Sequence, residues 1–169
     1  MTGFLVAGST TLLKSASMTE TECAVRPLRE NDLEEWLRLR KLLWDVNDSE
    51  DHRHEMFQIL GHPESQLVLV ADAADGRLIG FLEASIRPFA EDCATDHVGY
   101  IEGWFVEPEH RLKGIGRRLV TFAENWARQM GCAEMASDTE VGNDGGVVAH
   151  TSLGYKETSR LVHMRKDLN

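Results

Sequence analysis

Two carboxylates and a histidine stand out for where they fall. Glu102 interrupts the apolar run "VGYIEGWFV", and a carboxylate inside a strand needs either a counter-ion or a wet cleft. Asp138 closes "AEMASD", at the C-terminal tip of an expected strand, the edge at which open sheets bind ligands. His150 follows in "VVAHTSL", an expected short helix. Carboxylates so placed can accept a proton, and a histidine can accept or donate one, as general acid–base chemistry requires. Each residue also has a plainer reading: Glu102 as the partner of a nearby arginine, Asp138 as a cap, His150 as a helix-surface side chain.

Between these residues runs "EGWFVEPEHRLKGIGRRLV", residues 102–120, a strand that breaks at Pro108 and restarts as a basic, glycine-punctuated helix. The first turn of a helix leaves N–H groups unpaired and carries the positive end of its dipole, so an anion is expected there. The loop is not G-x-x-x-x-G-K-[ST], and Leu119 stands where G-x-G-x-x-G needs its third glycine, which excludes both of those phosphate binders. The amides of residues 113–117 can hold an anion, because Gly114 and Gly116 permit close approach. Arg111, Lys113, Arg117 and Arg118 add charge.

Such residues must be positioned by a sheet and its helices. "VRPL" reads as a first strand, followed by a helix in "RENDLEEWLRLRKLLW", where Asn31 and Glu34 have capping-box spacing. Leu33, Trp36, Leu37, Leu43 and Trp44 fall on one face of it. "DVNDSEDHRHEMFQIL" carries five carboxylates between Asp45 and Glu55 and reads as an acidic loop, Asp45 to Asp51, plus a second helix that stops at Gly61 and Pro63. "QLVLVA" and "RLIGFLEASIR" form a hairpin around "DAADG". Beyond the glycine loop, Ile115, Leu119, Phe122, Trp126 and Met130 mark a long amphipathic helix, and "RLVHMRK" is expected as a last strand. The order β-α-α-β-β-β-α-β-α-β implies a mixed sheet with helices on both faces.

At 169 residues and 42% hydrophobic, one domain is expected, over residues 21–169, with residues 1–20 a non-essential leader that contains Met18, a candidate internal start. A formal net charge of −10 argues against nucleic acid and suits a cationic ligand. No apolar run approaches the ~20 residues needed to cross a bilayer, so no membrane is expected. Three cysteines without C-x-x-C spacing suggest a reducing, cytoplasmic setting and no zinc site. No Cys–His partnership is readable, so direct attack is expected rather than an acyl-enzyme. His52-x-His54 has no evident third ligand, and no metal is expected.

Arg111-x-x-Gly114-x-Gly116, directly after a strand ending in Val106 and a proline at 108, resembles motif A of the GCN5-related N-acetyltransferases (GNAT). "NDGGVVAHTSLGY" is similar to a second signature of that family, and the resemblance covers residues 25–168. It implies the GNAT fold, an α/β (α+β) architecture with a mixed, mostly antiparallel central sheet and helices on both faces. It also implies acetyl-CoA as cosubstrate, held by the Phe105 or Val106 backbone, by Arg111, Leu112, Lys113, Gly114, Ile115, Gly116 and Arg117, and by Asn143. "LRKLLW", "ASIR", "IEGWFV", "EMASDT" and "AHTSLGY" further resemble the aminoglycoside 6′-N-acetyltransferases of the chromosomal, dimeric type. That resemblance implies a homodimer and a polycationic amine substrate. It places Glu102 or Asp138 as base, Asp138 with the weaker Glu140 on the substrate ammonium, and His150 where many relatives have a tyrosine acid. Trp44, Glu83 and Ser85 would complete the substrate pocket. Acetylation of another amine, a polyamine or a protein N-terminus, and a non-catalytic acyl-CoA-binding module are the alternatives.

Overall fold

The structure, a computed structural model, describes residues 23–44, 49–73 and 75–168; the leader and residues 45–48 of the acidic loop lie outside the described residues. In chain order the elements are β1 (Ala24–Pro27), α1 (Leu33–Trp44), α2 (Ser49–Leu60), β2 (Gln66–Asp72), β3 (Leu78–Arg87), β4 (Val98–Val106), α3 (Ile115–Gln129), β5 (Glu134–Ser137) and α4 (Asp144–Ser152). The strands form one sheet in the order β1-β2-β3-β4-β5. Every pairing is antiparallel except β4 with β5, which is parallel.

Strand β2 shows why the sheet is covered on both sides. Its run of apolar residues alternates, Val68 and Val70 packing with Trp36, Leu37, Leu39 and Met56 of α1 and α2, while Leu69 and Ala71 pack with Ile115, Leu119 and Ala123 of α3. Leu119, Val120 and Ala123 are the buried centre of α3, whereas Phe122 and Met130, expected on that face, are exposed. Small residues let the helix approach closely: a Cβ on Gly99 would sit 2.7 Å from Ala127 Cβ.

Three local expectations change. The N-terminus of α1 is preceded by a 3₁₀ turn, Glu30–Asp32, where the Asp32 carboxylate accepts the Arg29 N–H at 2.7 Å. Glu34 therefore closes no capping box and instead pairs with Arg53. Residues Ser49 to Asp51, expected in the acidic loop, already belong to α2. The strand expected in "RLVHMRK" does not form: residues 155–168 carry no regular structure, and Leu161, Val162 and Met164 are exposed. A strand exists only where a neighbour supplies hydrogen-bond partners, and no described strand pairs with that segment. Among the described residues, no helix is long and apolar enough to cross a membrane.

Candidate functional site

The site is made by one irregularity in β4. Register runs Glu83↔Gly103 and then Ala84↔Ile101, so Glu102 is an extra residue bulged out of the ladder. Tyr100 and Trp104 would share a face in a regular strand. The bulge leaves Tyr100 opposite Ser85 and sends Trp104 to the α3 side, against Gly116. Glu102 is thereby aimed at the α1–α2 side, where the Ser85 hydroxyl and the Arg87 guanidinium both donate to it.

On that side a cavity of about 490 Å³ opens between α1, α2 and the sheet, lined by Arg40, Trp44, Asp51, His52, Glu55 and Glu83, with Glu102 at its edge. Trp44 is seated by a glycine: a Cβ on Gly103 would lie 2.5 Å from its ring. Behind the cavity Glu83 is 3% exposed, and its carboxylate receives two 2.7 Å bonds from Arg40 and one of 2.8 Å from the Trp36 indole. Burial pushes the Glu83 carboxyl up, against the opposing pull of Arg40 and Trp36. Arg40 also reaches Glu55, stacks 4.6 Å over Trp44 and donates to His52 Nδ1. Glu83 and Arg40 thus build the wall, and Asp51, Glu55 and Glu102 give the cavity its negative charge.

The opposite side of the bulge is a gap. Strands β4 and β5 pair only from Val98↔Glu134 to Ile101↔Ser137, while β4 continues to Val106. Glu107 N–H bonds back to Ile79 O at 3.0 Å; alternation then turns the Val106 amide, and not that of Phe105, toward the open side. The glycine loop borders this gap. Leu112, fully exposed, and Gly114 have φ of 60° and 81°, and Gly114 opens α3 without any side-chain cap. Arg111 ties the loop to the strand through Val106 O at 2.9 Å, Arg117 reaches Ser152 O, and Arg118 reaches Cys23 O. A Cβ on Gly116 would meet the Trp104 ring at 2.6 Å, and the buried Trp104 Nε1 has no hydrogen-bond partner among the described residues. Uncapped amides, local positive charge and an orphaned donor fit the diphosphate and amide groups of an acyl carrier such as coenzyme A.

His150 stands beside the gap. Its Nδ1 lies 2.7 Å from Gly146 O, which only accepts, so Nδ1 carries a proton and Nε2 is left to the Ser137 hydroxyl at 3.0 Å. Trp104 and Tyr155 meet the ring edge-on at 5.3 and 5.6 Å. Asp138 is exposed just beyond β5, and Glu140 is exposed further out. Burial first, then the Asp138 carboxylate, push the Tyr100 hydroxyl up to about 12. Asn143 caps α4 through Gly146 N–H at 2.9 Å. Sequence reasoning gave no role to Arg40, Arg87, Tyr100 or Ser137, although the stretches "LRKLLW", "ASIR" and "EMASDT", quoted for resemblance, contain Arg40, Arg87 and Ser137. Elsewhere Glu107, Glu109 and His110 bring ligand atoms within 4.8 Å of one another, but Arg38 and Arg77 already hold the Glu107 carboxylate.

The family described as Acetyltransferase (GNAT) family matches residues 32–155. The chain is similar to an aminoglycoside N(6′)-acetyltransferase type 1 of Klebsiella aerogenes, 40% identical over 85% of this chain and 96% of the relative. Among solved structures it resembles AAC(6′)-Iy in complex with a bisubstrate analog, CoA-S-monomethyl-acetylneamine (TM-score 0.80, 35% identity, 86% of this chain and 98% of that one). It is also similar to the apo aminoglycoside antibiotic 6′-N-acetyltransferase AAC(6′)-IG of Acinetobacter haemolyticus (TM-score 0.81, 37% identity, 86% and 99% covered).

Proposed function

The chain belongs to the GNAT family of acetyltransferases, and on that premise we propose that it acetylates the 6′-amino group of aminoglycoside antibiotics from acetyl-CoA, with drug resistance as the consequence. The observation that carries this is the bulge at Glu102, which joins an acidic, Trp44-walled cavity to the gap between β4 and β5. A polycationic sugar is drawn by the carboxylates of Asp51, Glu55 and Glu102 and finds an indole face to lie on.

Acetyl-CoA, when bound, supplies an activated acyl group and a sulfur leaving group. Arg111, Leu112, Lys113, Gly114, Ile115, Gly116 and Arg117 hold its diphosphate at the start of α3, with Asn143 ordering α4 alongside. The Val106 amide offers a donor to charge developing on the acyl oxygen. Glu102 or Asp138 takes the proton of the acceptor ammonium, directly or through water, so that a free amine attacks. In its imidazolium form His150, with Nδ1–H held by Gly146 O, gives its Nε2 proton to the departing sulfur, and Ser137 holds the ring edge. As nitrogen gains the acyl carbon, the carbon–sulfur bond breaks, in a ternary complex without an acyl-enzyme.

Residues 21–169 are the working unit of this proposal, and it acts in the reducing cytoplasm, in keeping with free Cys23, Cys93 and Cys132. It works as a homodimer: Leu161, Val162 and Met164 are exposed, and β5 ends the sheet with one edge unpaired among the described strands. Thiol release measured with 6′-amino and 6′-hydroxy aminoglycosides tests the acceptor. Turnover should require the 6′-amine and fall sharply in Asp138→Asn or Glu102→Gln. A preference for polyamines or peptides would overturn the acceptor, and full activity in both variants would overturn the base.

A further inference from the structure

Glu102 faces the cavity, yet its carboxylate is already engaged. Arg87 Nε donates to Oε1 at 2.9 Å, Arg87 Nη2 donates to Oε2, and the Ser85 hydroxyl donates to Oε1. Arg87 is the last residue of β3, three tenths to four tenths of each side chain in the pair is exposed, and no packed core encloses it. The Arg87 Cζ lies over the Tyr100 ring, 3.5 Å from its centre. Burial opposes the charge of Arg87, but Glu102, Tyr100 and Asp138 together hold the guanidinium above its ordinary value, so a second carboxylate is within electrostatic reach. An ammonium that seeks Glu102 meets a cation in its place. Two cations within hydrogen-bond reach of one carboxylate repel each other, so the arrival of one favours departure of the other.

We propose that Arg87 is an exchangeable counter-ion: it occupies Glu102 in the free protein and yields that carboxylate to an ammonium of the acceptor. This rests on the acceptor assignment above. The Tyr100 face keeps the guanidinium stacked while it turns from Glu102 toward Asp138, so the exchange needs rotation about side-chain bonds and no movement of β3. Arg87 is in this account a positioning residue that sets acceptor affinity, and Ser85 holds the Glu102 carboxylate in place while its ionic partner changes.

The test is calorimetric binding of kanamycin in the absence of acetyl-CoA, so that turnover plays no part. Removing the competing cation in Arg87→Gln should tighten binding about fivefold, the size of a half-exposed ion pair. In an Glu102→Gln background the same substitution should give no gain. A purely structural arginine would lower the melting temperature without tightening anything. Equal or weaker binding by Arg87→Gln, or a gain that persists in Glu102→Gln, overturns the proposal while leaving the acceptor assignment intact. If the wild-type protein binds no aminoglycoside at all, the acceptor assignment fails and the proposal with it. Should Arg87→Gln not fold, Arg87→Met, which keeps an apolar stem against Tyr100 and removes the charge, must still bind kanamycin more tightly than wild type; if it does not, the exchange is refuted.

Discussion

Glu83→Gln asks whether the wall of the cavity is held by a buried charge pair. The Arg40 and Glu83 side chains are 3% and 4% exposed, and both carboxylate oxygens of Glu83 take bonds from Arg40. Glutamine keeps an acceptor for the Trp36 indole but removes the negative charge, leaving Arg40 with Glu55, whose side chain is 61% exposed. Breaking a buried pair by removing one partner costs about 3–5 kcal/mol, and the surviving contact to Glu55 places this case near ~3 kcal/mol. For a domain of this size that is a fall of roughly 6–12 °C in melting temperature. Replacing both residues, Glu83→Gln with Arg40→Met, removes the stranded cation while the Trp36 N–H stays satisfied, so most of the loss should return. Thermal and urea unfolding of the two variants measure this. A single variant within about 1 kcal/mol of wild type, or a double variant no better than the single, would refute the reasoning.

Gly114→Ala puts a Cβ at φ 81°, so stability should fall by about 1 kcal/mol and acetyl-CoA should bind more weakly, as calorimetry would record. The Asp32 carboxyl is held below its ordinary value of 3.8, first by the Arg26 hydrogen bond, against burial, with help from the Arg29 N–H. Its contribution is therefore full above that value and lost as pH falls through the lower native one. Asp32→Asn should be less stable than wild type by about 2 kcal/mol at pH 6, with the gap closing as pH falls below 3.8 in unfolding titrations. The proposed homodimer predicts that the full chain sediments as a dimer and that deleting residues 156–169, which removes the exposed apolar segment, leaves a monomer.

Much of the architecture is readable because its causes are local. The alternation in "QLVLVA", the 3.6-residue period in "LEEWLRLRKLLW" and the break at Pro108 are set by neighbours a few residues apart, and each gave its element within a few positions. The glycine loop is legible for the same reason: Gly114 and Gly116 lie where the backbone itself must turn and approach. The capping of α1 was misassigned because Asn31, Asp32 and Glu34 offer competing side-chain acceptors within one turn, and geometry chose Asp32.

The sequence by itself determined an acidic α/β chain with a basic, glycine-punctuated helix start suited to an anion and carboxylates at two strand positions. Only the tertiary structure decided what those carboxylates touch. Arg40 finds Glu83 across 43 residues through the packing of α1 on the sheet, and Arg87 finds Glu102 across 15 through the register of β3 against β4 and the one-residue bulge within it. Pairing of that kind depends on which strand lies beside which and on where the ladder slips. No local period encodes a slip, because a bulge changes the face of every following side chain while leaving the residues on either side free to look like ordinary strand.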